Sequence, residues 1–92
     1  MYTNLIDAAR SGNLDIVKQL VKNGANVNSK DKTGTTALMV ASFSGNLDLV
    51  KFLIENGAQV TMRDNDGWTA HMIAEMNSKS EVADFLKIAS PQ

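Results

Sequence analysis

An internal repeat of 33 residues constrains the fold of this chain more than any other feature of its sequence. When residues 12–41 are aligned with residues 45–74, 17 of the 30 positions are identical. Both copies contain Gly-Asn-Leu-Asp, Asn-Gly-Ala and Asp-x-x-Gly-x-Thr-Ala in the same order. A fixed period of this length is typical of stacked repeat proteins, in which each unit buries its apolar face against its neighbours.

The middle copy predicts a turn followed by a short helix. Residues 31–34 (Asp-Lys-Thr-Gly) form the turn, in which Gly34 is free to adopt a positive φ. The hydroxyl of Thr36 can then cap a helix over residues 37–44, most of which are good helix formers. Gly45 follows where a helix commonly ends in a left-handed residue.

A second helix is predicted directly after the first. Asn46 can cap it, and Asp48 in its first turn complements the positive end of the helix dipole. Apolar residues then recur at helical spacing and form one stripe, made of Leu47, Val50, Leu53 and Ile54. The Asn-Gly pair at residues 56–57 ends the helix. Neither helix could bury its apolar face alone, so each pair needs a neighbouring pair stacked on it.

This pattern resembles the ankyrin repeat over almost the whole chain. The resemblance rests on Asp-x-x-Gly-x-Thr before the first helix and Asn-Gly-Ala-x-Val after the second. Residues 36–41 (Thr-Ala-Leu-Met-Val-Ala) stand where the family has Thr-Pro-Leu-His-x-Ala, so methionine replaces histidine at Met39 and again at Met72. We expect both methionines to fill the space that the histidine leaves. The resemblance implies an all-α solenoid of three stacked helix-turn-helix units joined by β-hairpin-like loops.

The chain is expected to form one domain, residues 1–92, with polar capping repeats at its ends. We divide it into an N-terminal capping repeat (1–29), an internal repeat (30–62) and a C-terminal capping repeat (63–92). The first repeat is expected to hold helices over about residues 3–11 and 14–23. In the last repeat His71 replaces Leu38 and Glu75 replaces Ser42, as a face without a neighbour requires. The three units together are therefore expected to form a complete stack.

Composition excludes several classes of function. The 92 residues include no cysteine and one histidine, which excludes disulfides, thiol nucleophiles and multi-histidine metal sites. The net charge is −1 and no basic stripe is present, so we expect no binding to nucleic acid. The apolar runs are too short to span a membrane. We expect a cytoplasmic protein that is a monomer when free.

No residue pattern predicts catalysis or a cofactor. His71 could be grouped with Thr69 and Glu75 as a catalytic set, but it occupies the position of Leu38 in the repeat. Residues 64–67 (Asp-Asn-Asp-Gly) resemble the start of a calcium loop, but the equivalent turn at residues 31–34 contains a lysine, so the acidic version is better explained as turn chemistry. The sequence therefore predicts neither an enzyme nor a metal or cofactor site.

The resemblance also implies a partner-binding surface, because ankyrin-like stacks bind partners on the concave side made by loop tips and first helices. Transferred to matching positions, this surface consists of Arg10, Ser11, Lys32, Thr33, Thr35, Phe43, Ser44, Asn65, Asp66, Trp68, Met76 and Asn77. The loop-tip positions differ between the repeats while the surrounding framework is repeated. Such variation is typical of a recognition surface, and sequence drift produces the same pattern.

Two functional hypotheses follow from these observations. The first is a non-catalytic protein–protein interaction module that binds an unidentified protein through the concave face. The second is a structural or self-associating repeat unit with no specific partner. Trp68 could equally fold over the preceding loop, and Phe43 could equally pack on its own helix. Asn28 stands where some members of the family carry a hydroxylated asparagine, and nothing in the sequence indicates that modification here.

Overall fold

The computed structural model of this protein describes residues 4–89, which fold into a stack of helix pairs. Its six helices are α1 (Leu5–Ser11), α2 (Leu14–Lys22), α3 (Ala37–Ser44), α4 (Leu47–Glu55), α5 (Ala70–Met76) and α6 (Ser80–Ala89). Each repeat contributes two helices, and residues 4–89 contain no strand. The predicted all-α architecture of three stacked helix pairs is confirmed.

Helices α3 and α4 begin at the caps that the sequence predicts. Thr36 Oγ1 accepts a hydrogen bond from the backbone N–H of Met39 at 3.3 Å, and Asn46 Oδ1 accepts one from Leu49 N–H at 3.2 Å. Asn4, Asn13 and Thr69 cap α1, α2 and α5 in the same way. Helix α1 begins at Leu5, and the predicted start at residue 3 lies outside the described residues.

The first helices end in a left-handed residue, as the repeat pattern predicts. Gly45 has a φ of 75° and its backbone N–H donates to the carbonyl of Ser42. The last repeat keeps this geometry with Ser78, whose φ is 59°, although a side chain makes that conformation less favourable than it is for glycine. The first helix of each repeat is therefore followed by a similar sharp turn.

The core lies between neighbouring repeats. Helix α3 packs between α1 and α5, and six of its eight residues are buried. Ser42 is fully buried there, and its Oγ donates to the carbonyl of Leu38 at 2.7 Å. In the second helices Leu49, Leu53 and Leu86 are fully buried. Because burying a leucine side chain contributes about 1.5–3 kcal/mol, these buried leucines stabilise the fold.

A ladder of lysine–aromatic contacts joins the second helices. Lys18 Nζ lies 5.8 Å from the centre of the Phe52 ring, and Lys51 Nζ lies 5.6 Å from the centre of the Phe85 ring. Each contact joins one repeat to the next, and such contacts contribute about 0.5–1 kcal/mol at exposed sites. Asp84 occupies the next lysine position, so the pattern ends in the last repeat.

The two loops between the repeats fold as matching tight turns. Asp31 Oδ1 accepts hydrogen bonds from the backbone N–H groups of Thr33 and Thr35 at 2.9 and 3.0 Å. Asp64 Oδ1 accepts the equivalent bonds from Asp66 and Trp68, both at 2.9 Å. These turns carry the loop-tip residues of the candidate site.

Candidate functional site

The loop turns and first helices surround an open groove of about 730 Å³. Eight of the twelve residues that the sequence predicts as a partner-binding surface line it. They are Arg10, Thr35, Phe43, Ser44, Asp66, Trp68, Met76 and Asn77. The remaining four predicted residues, Ser11, Lys32, Thr33 and Asn65, are exposed but do not line the groove.

Four further residues line the groove that the sequence did not single out: Met39, Val40, Asp64 and Ile73. Met39 and Asp64 are identical to their counterparts one repeat away, so variation between the repeats does not identify them as surface residues. Val40 and Ile73 occupy the same position of α3 and α5 and have the character of core residues. Solvent access to one edge of these helices, which the sequence does not encode, makes them part of the groove.

Exposed apolar side chains form the centre of the groove. Phe43 is 60% exposed and Met76, at the same position of the next repeat, is 68% exposed. Trp68 is half-buried at the turn beside them. The sequence left open whether Phe43 is packed or exposed, and the structure shows it largely exposed. All three side chains line the groove.

Charge is distributed unevenly along the groove. Arg10 lies 3.5 Å from Asp7 and 4.0 Å from Asp31, measured between guanidinium nitrogens and carboxylate oxygens. The hydroxyl of Thr33 is the main cause that lowers the pKa of Asp31, with further lowering by the Thr35 N–H and a smaller contribution from Arg10. The positive end of the groove is therefore already neutralised by the protein's own carboxylates.

The two aspartates that the last repeat contributes to the groove have no such partner among residues 4–89. Between residues 4 and 89, no cation lies within 4.0 Å of the carboxylate of Asp64 or Asp66. Arg63 is close in sequence, but its guanidinium donates to the carbonyl of Gly67 at 2.7 Å. The groove thus carries two unpaired carboxylates beside its apolar centre.

Several polar residues of the predicted surface have structural duties. Asn65 donates from its backbone N–H to the carbonyl of Thr33 and from Nδ2 to the carbonyl of Lys32, both at 2.9 Å. These bonds tie the two loop turns together. Ser44 and Asn77 donate from their side chains to carbonyls of their own helices. Asn65 varies between the repeats and also has this structural role.

Asn28 and His71, which the sequence analysis also considered, lie outside the groove. The side-chain amide of Asn28 joins two repeats, because Nδ2 donates to Gly57 carbonyl at 3.0 Å and Oδ1 accepts from Gln59 N–H at 2.8 Å. His71 Nδ1 lies 3.7 Å from Glu75 Oε1 on the outer side of the last repeat. Both side chains therefore have partners elsewhere in the fold, and neither lines the groove.

Two other kinds of feature are absent from the described residues. Within residues 4–89 no group of three or more histidine, cysteine, aspartate or glutamate side chains could hold a metal ion. In the same part of the chain, no helix combines the length and apolar character that a membrane span requires.

Comparison with known proteins identifies the family. Human mitochondrial disaggregase is 51% identical over 37 residues, which make up 40% of this chain and 5% of that protein. Because 37 residues barely exceed one repeat period, this identity reflects the repeat framework. A family model described as ankyrin repeats (3 copies) matches residues 5–91. Ankyrin repeats are generally non-catalytic protein–protein interaction modules. The chain belongs to the ankyrin repeat family.

Proposed function

We propose that this protein is a non-catalytic module that binds a protein partner in the groove. The observation that carries the proposal is the shared exposure of Phe43 and Met76 beside Trp68 on one concave surface. Large apolar groups that are exposed together on a small protein generally mark an interaction site. Isolated exposed apolar residues carry no such meaning.

The groove is built on a rigid support. Phe43 and Met76 project from α3 and α5, whose other residues include the buried core positions Met39 and Ala74. A partner would therefore meet side chains whose backbone is already ordered, which reduces the entropy lost on binding. Tryptophan is enriched among binding hot spots, where truncation to alanine costs about 2 kcal/mol or more.

The proposal is tested by truncating the exposed aromatic residues. The immobilised full chain is incubated with an extract of its native cell, and bound proteins are quantified by mass spectrometry. Proteins retained by the wild type are then purified, and their affinities for the variants are measured. We expect Phe43→Ala or Trp68→Ala to weaken binding at least about tenfold, which corresponds to roughly 1.4 kcal/mol.

Ile88→Ala is the matched control for this experiment. Ile88 is 84% exposed on α6 and does not line the groove, so its truncation should leave binding unchanged. Leu53→Ala serves as the stability control, because the cavity it opens should cost about 2–5 kcal/mol. If Trp68→Ala melted the domain and left binding intact, the tryptophan would be a packing residue and the interface would lie elsewhere.

The alternative is a self-associating unit without a specific partner. Met72 and Ile88 are exposed apolar residues of the last repeat outside the groove, where a second copy could dock. Sedimentation velocity over a range of concentrations separates the two functions. A monomer at all concentrations supports the groove as a site for another protein, whereas a dimer that Met72→Glu dissociates supports self-association.

A further inference from the structure

The internal repeat provides a template for what the groove can hold. At the first junction, between the first and middle repeats, the guanidinium of Arg10 lies beside the carboxylate of Asp31. Arg10 sits at the end of α1, and Asp31 begins the loop turn of the next repeat. The first junction therefore places an arginine guanidinium 4.0 Å from a loop aspartate within this same protein.

The second junction, between the middle and last repeats, repeats the acceptor without the cation. Asp64 occupies the position of Asp31, and its Oδ1 accepts the equivalent two backbone hydrogen bonds. Phe43 occupies the position of Arg10. No hydrogen bond or ion pair engages Asp64 Oδ2 within residues 4–89. An acceptor oxygen is thus left for a donor that comes from outside the chain.

We propose that the groove receives an arginine side chain of the protein partner at the second junction, with an apolar partner side chain beside it. The inference rests on the proposed function, because it names the chemistry of the segment that the groove binds. The partner's guanidinium would pair with Asp64 and Asp66, and its apolar neighbour would lie against Met76 and Ile73.

The aromatic residues favour a guanidinium at this place. Phe43 and Trp68 replace Arg10 and Thr35 of the first junction, so the second junction has two π-systems at positions where the first has an arginine and a threonine. A planar guanidinium stacks on aromatic faces and can donate to carboxylates at the same time. An ammonium group is a compact, strongly hydrated charge and gains less from such a surface.

The charge of the groove excludes an acidic segment at the same place. Within residues 4–89, Arg10 is the one basic residue that lines the groove, and it is already paired with Asp7 and Asp31. A partner carboxylate at the second junction would face Asp64 and Asp66 without a compensating cation. Like charges placed together at an interface are unfavourable, so the groove should discriminate against acidic partners.

The test uses a phage-displayed library of random dodecapeptides, selected on the immobilised full chain. Selected peptides are synthesised in matched forms that carry arginine, citrulline or lysine at the enriched position. Trp68 is the chain's single tryptophan, so its fluorescence reports occupation of the groove directly. We expect arginine to be enriched next to an apolar residue, and citrulline, its neutral isostere, to weaken binding at least about tenfold.

Protein variants locate the bound arginine. Asp64→Asn combined with Asp66→Asn removes both charges, while an asparagine oxygen at residue 64 can still accept the turn hydrogen bonds. This double variant should lose about tenfold in affinity for the arginine peptide and nothing for the citrulline peptide. Asp48→Asn, an exposed aspartate of α4 outside the groove, is the matched control and should bind both peptides like the wild type.

The possible failures are distinguishable. Peptides that lose affinity with Phe43→Ala but show no arginine enrichment, or that bind the double variant unchanged, would overturn the arginine assignment and leave the proposed function standing. Equal affinity of the lysine peptide would overturn the choice of a guanidinium. If no selected peptide were sensitive to Phe43→Ala, both the assignment and the proposed function would be overturned.

Discussion

The middle and last repeats share one sequence template but occupy different environments. In the middle repeat, α3 packs between α1 and α5, and six of its eight residues are buried. In the last repeat, two of the seven residues of α5 are buried, although several residues of α5 are identical to their counterparts in α3. Burial of a given position therefore depends on whether another repeat covers it.

Two pairs of equivalent residues show how the sequence adapts to this difference. Leu38 and Ser42 are buried in the middle repeat, whereas His71 and Glu75 at the same positions of the last repeat are partly and largely exposed. Polar groups cost little where water reaches them and much where it does not. The last repeat thus carries polar residues at two positions that are buried in the middle repeat.

The largest effect is expected when the last repeat is removed. Deletion of residues 63–92 uncovers the apolar side of α3 and leaves two helix pairs, fewer than the three that such stacks usually need. We expect the truncated chain to be largely unfolded or aggregated by circular dichroism and light scattering. A monomeric truncation with full helical signal and a sharp melting transition would contradict the stacked arrangement.

A matched truncation sharpens the comparison. When Leu38→His and Ser42→Glu are added to the shortened chain, the middle repeat receives the polar residues of the last repeat. We expect this variant to aggregate less than the simple truncation, because its uncovered face is polar. The same aggregation in both shortened chains would mean that the polar substitutions play no part in covering the stack.

The next effect is expected from two methionines at the same position of the template. Met39 is 2% exposed and Met72 is 37% exposed, so the same template residue is buried in one repeat and exposed in the next. Met39→Ala should cost about 2–5 kcal/mol through the cavity it leaves, and Met72→Ala less than about 1 kcal/mol. Urea unfolding of the two variants measures the difference, and equal costs would contradict the effect of repeat position.

Much of the fold could be predicted because the residues that specify it act locally. Thr36 and Asn46 cap the helices that follow them, and the predicted bounds of α3 agree with the structure. The groove was harder to predict because some residues that line it also belong to the repeated framework. Asp64 holds its turn together with one oxygen and faces the groove, so its identity with Asp31 conceals any second role.

Contacts between loops could not be predicted from local patterns. Asn65 Nδ2 donates to the carbonyl of Lys32, its own counterpart in the preceding repeat, across 33 positions of sequence. No turn motif specifies such a bond, because it depends on how closely the repeats stack. Sequence patterns therefore identify Asn65 only as a loop-tip position that differs between the repeats.

Equivalent glycines of the two turns provide a smaller test of that stacking. Gly34 and Gly67 have φ values of 81° and 87°, so alanine is strained at both by about 1–2 kcal/mol. A Cβ at Gly34 would also come within 2.9 Å of the backbone nitrogen of Asn65, while one at Gly67 meets no atom within 4 Å.

Gly34→Ala should therefore destabilise the fold more than Gly67→Ala, by roughly a further 1–3 kcal/mol for the steric conflict. Thermal unfolding of both variants measures the difference. The two substitutions are matched in chemistry and in backbone conformation, so the gap between them reports the contact with the following turn alone. Equal destabilisation would show that the turn of the last repeat moves aside without cost.

The smallest effect is expected from the acidic residues of the two turns. The pKa of Asp31 is lowered from 3.8, mainly by the Thr33 hydroxyl and then by backbone N–H groups, with a smaller contribution from Arg10. A carboxylate whose pKa is lower in the folded state stabilises that state at pH values above the unfolded pKa. This stabilisation is lost as the pH falls through the lowered folded value.

Asp31→Asn should therefore reduce the free energy of unfolding at pH 7, by less than about 1 kcal/mol because the side chain is solvent-exposed. The difference from the wild type should close as the pH falls below 3.8, where the aspartate itself becomes protonated. Asp64→Asn is the matched variant, since it alters the equivalent turn of the last repeat, in which the aspartate has no arginine partner among the described residues. Urea unfolding from pH 7 to pH 2.5 tests both, with the pH range set by the lowered pKa. If the difference for Asp31→Asn stayed constant over this range, it would arise from the change in side-chain shape. The charge of Asp31 would then be ruled out as the cause.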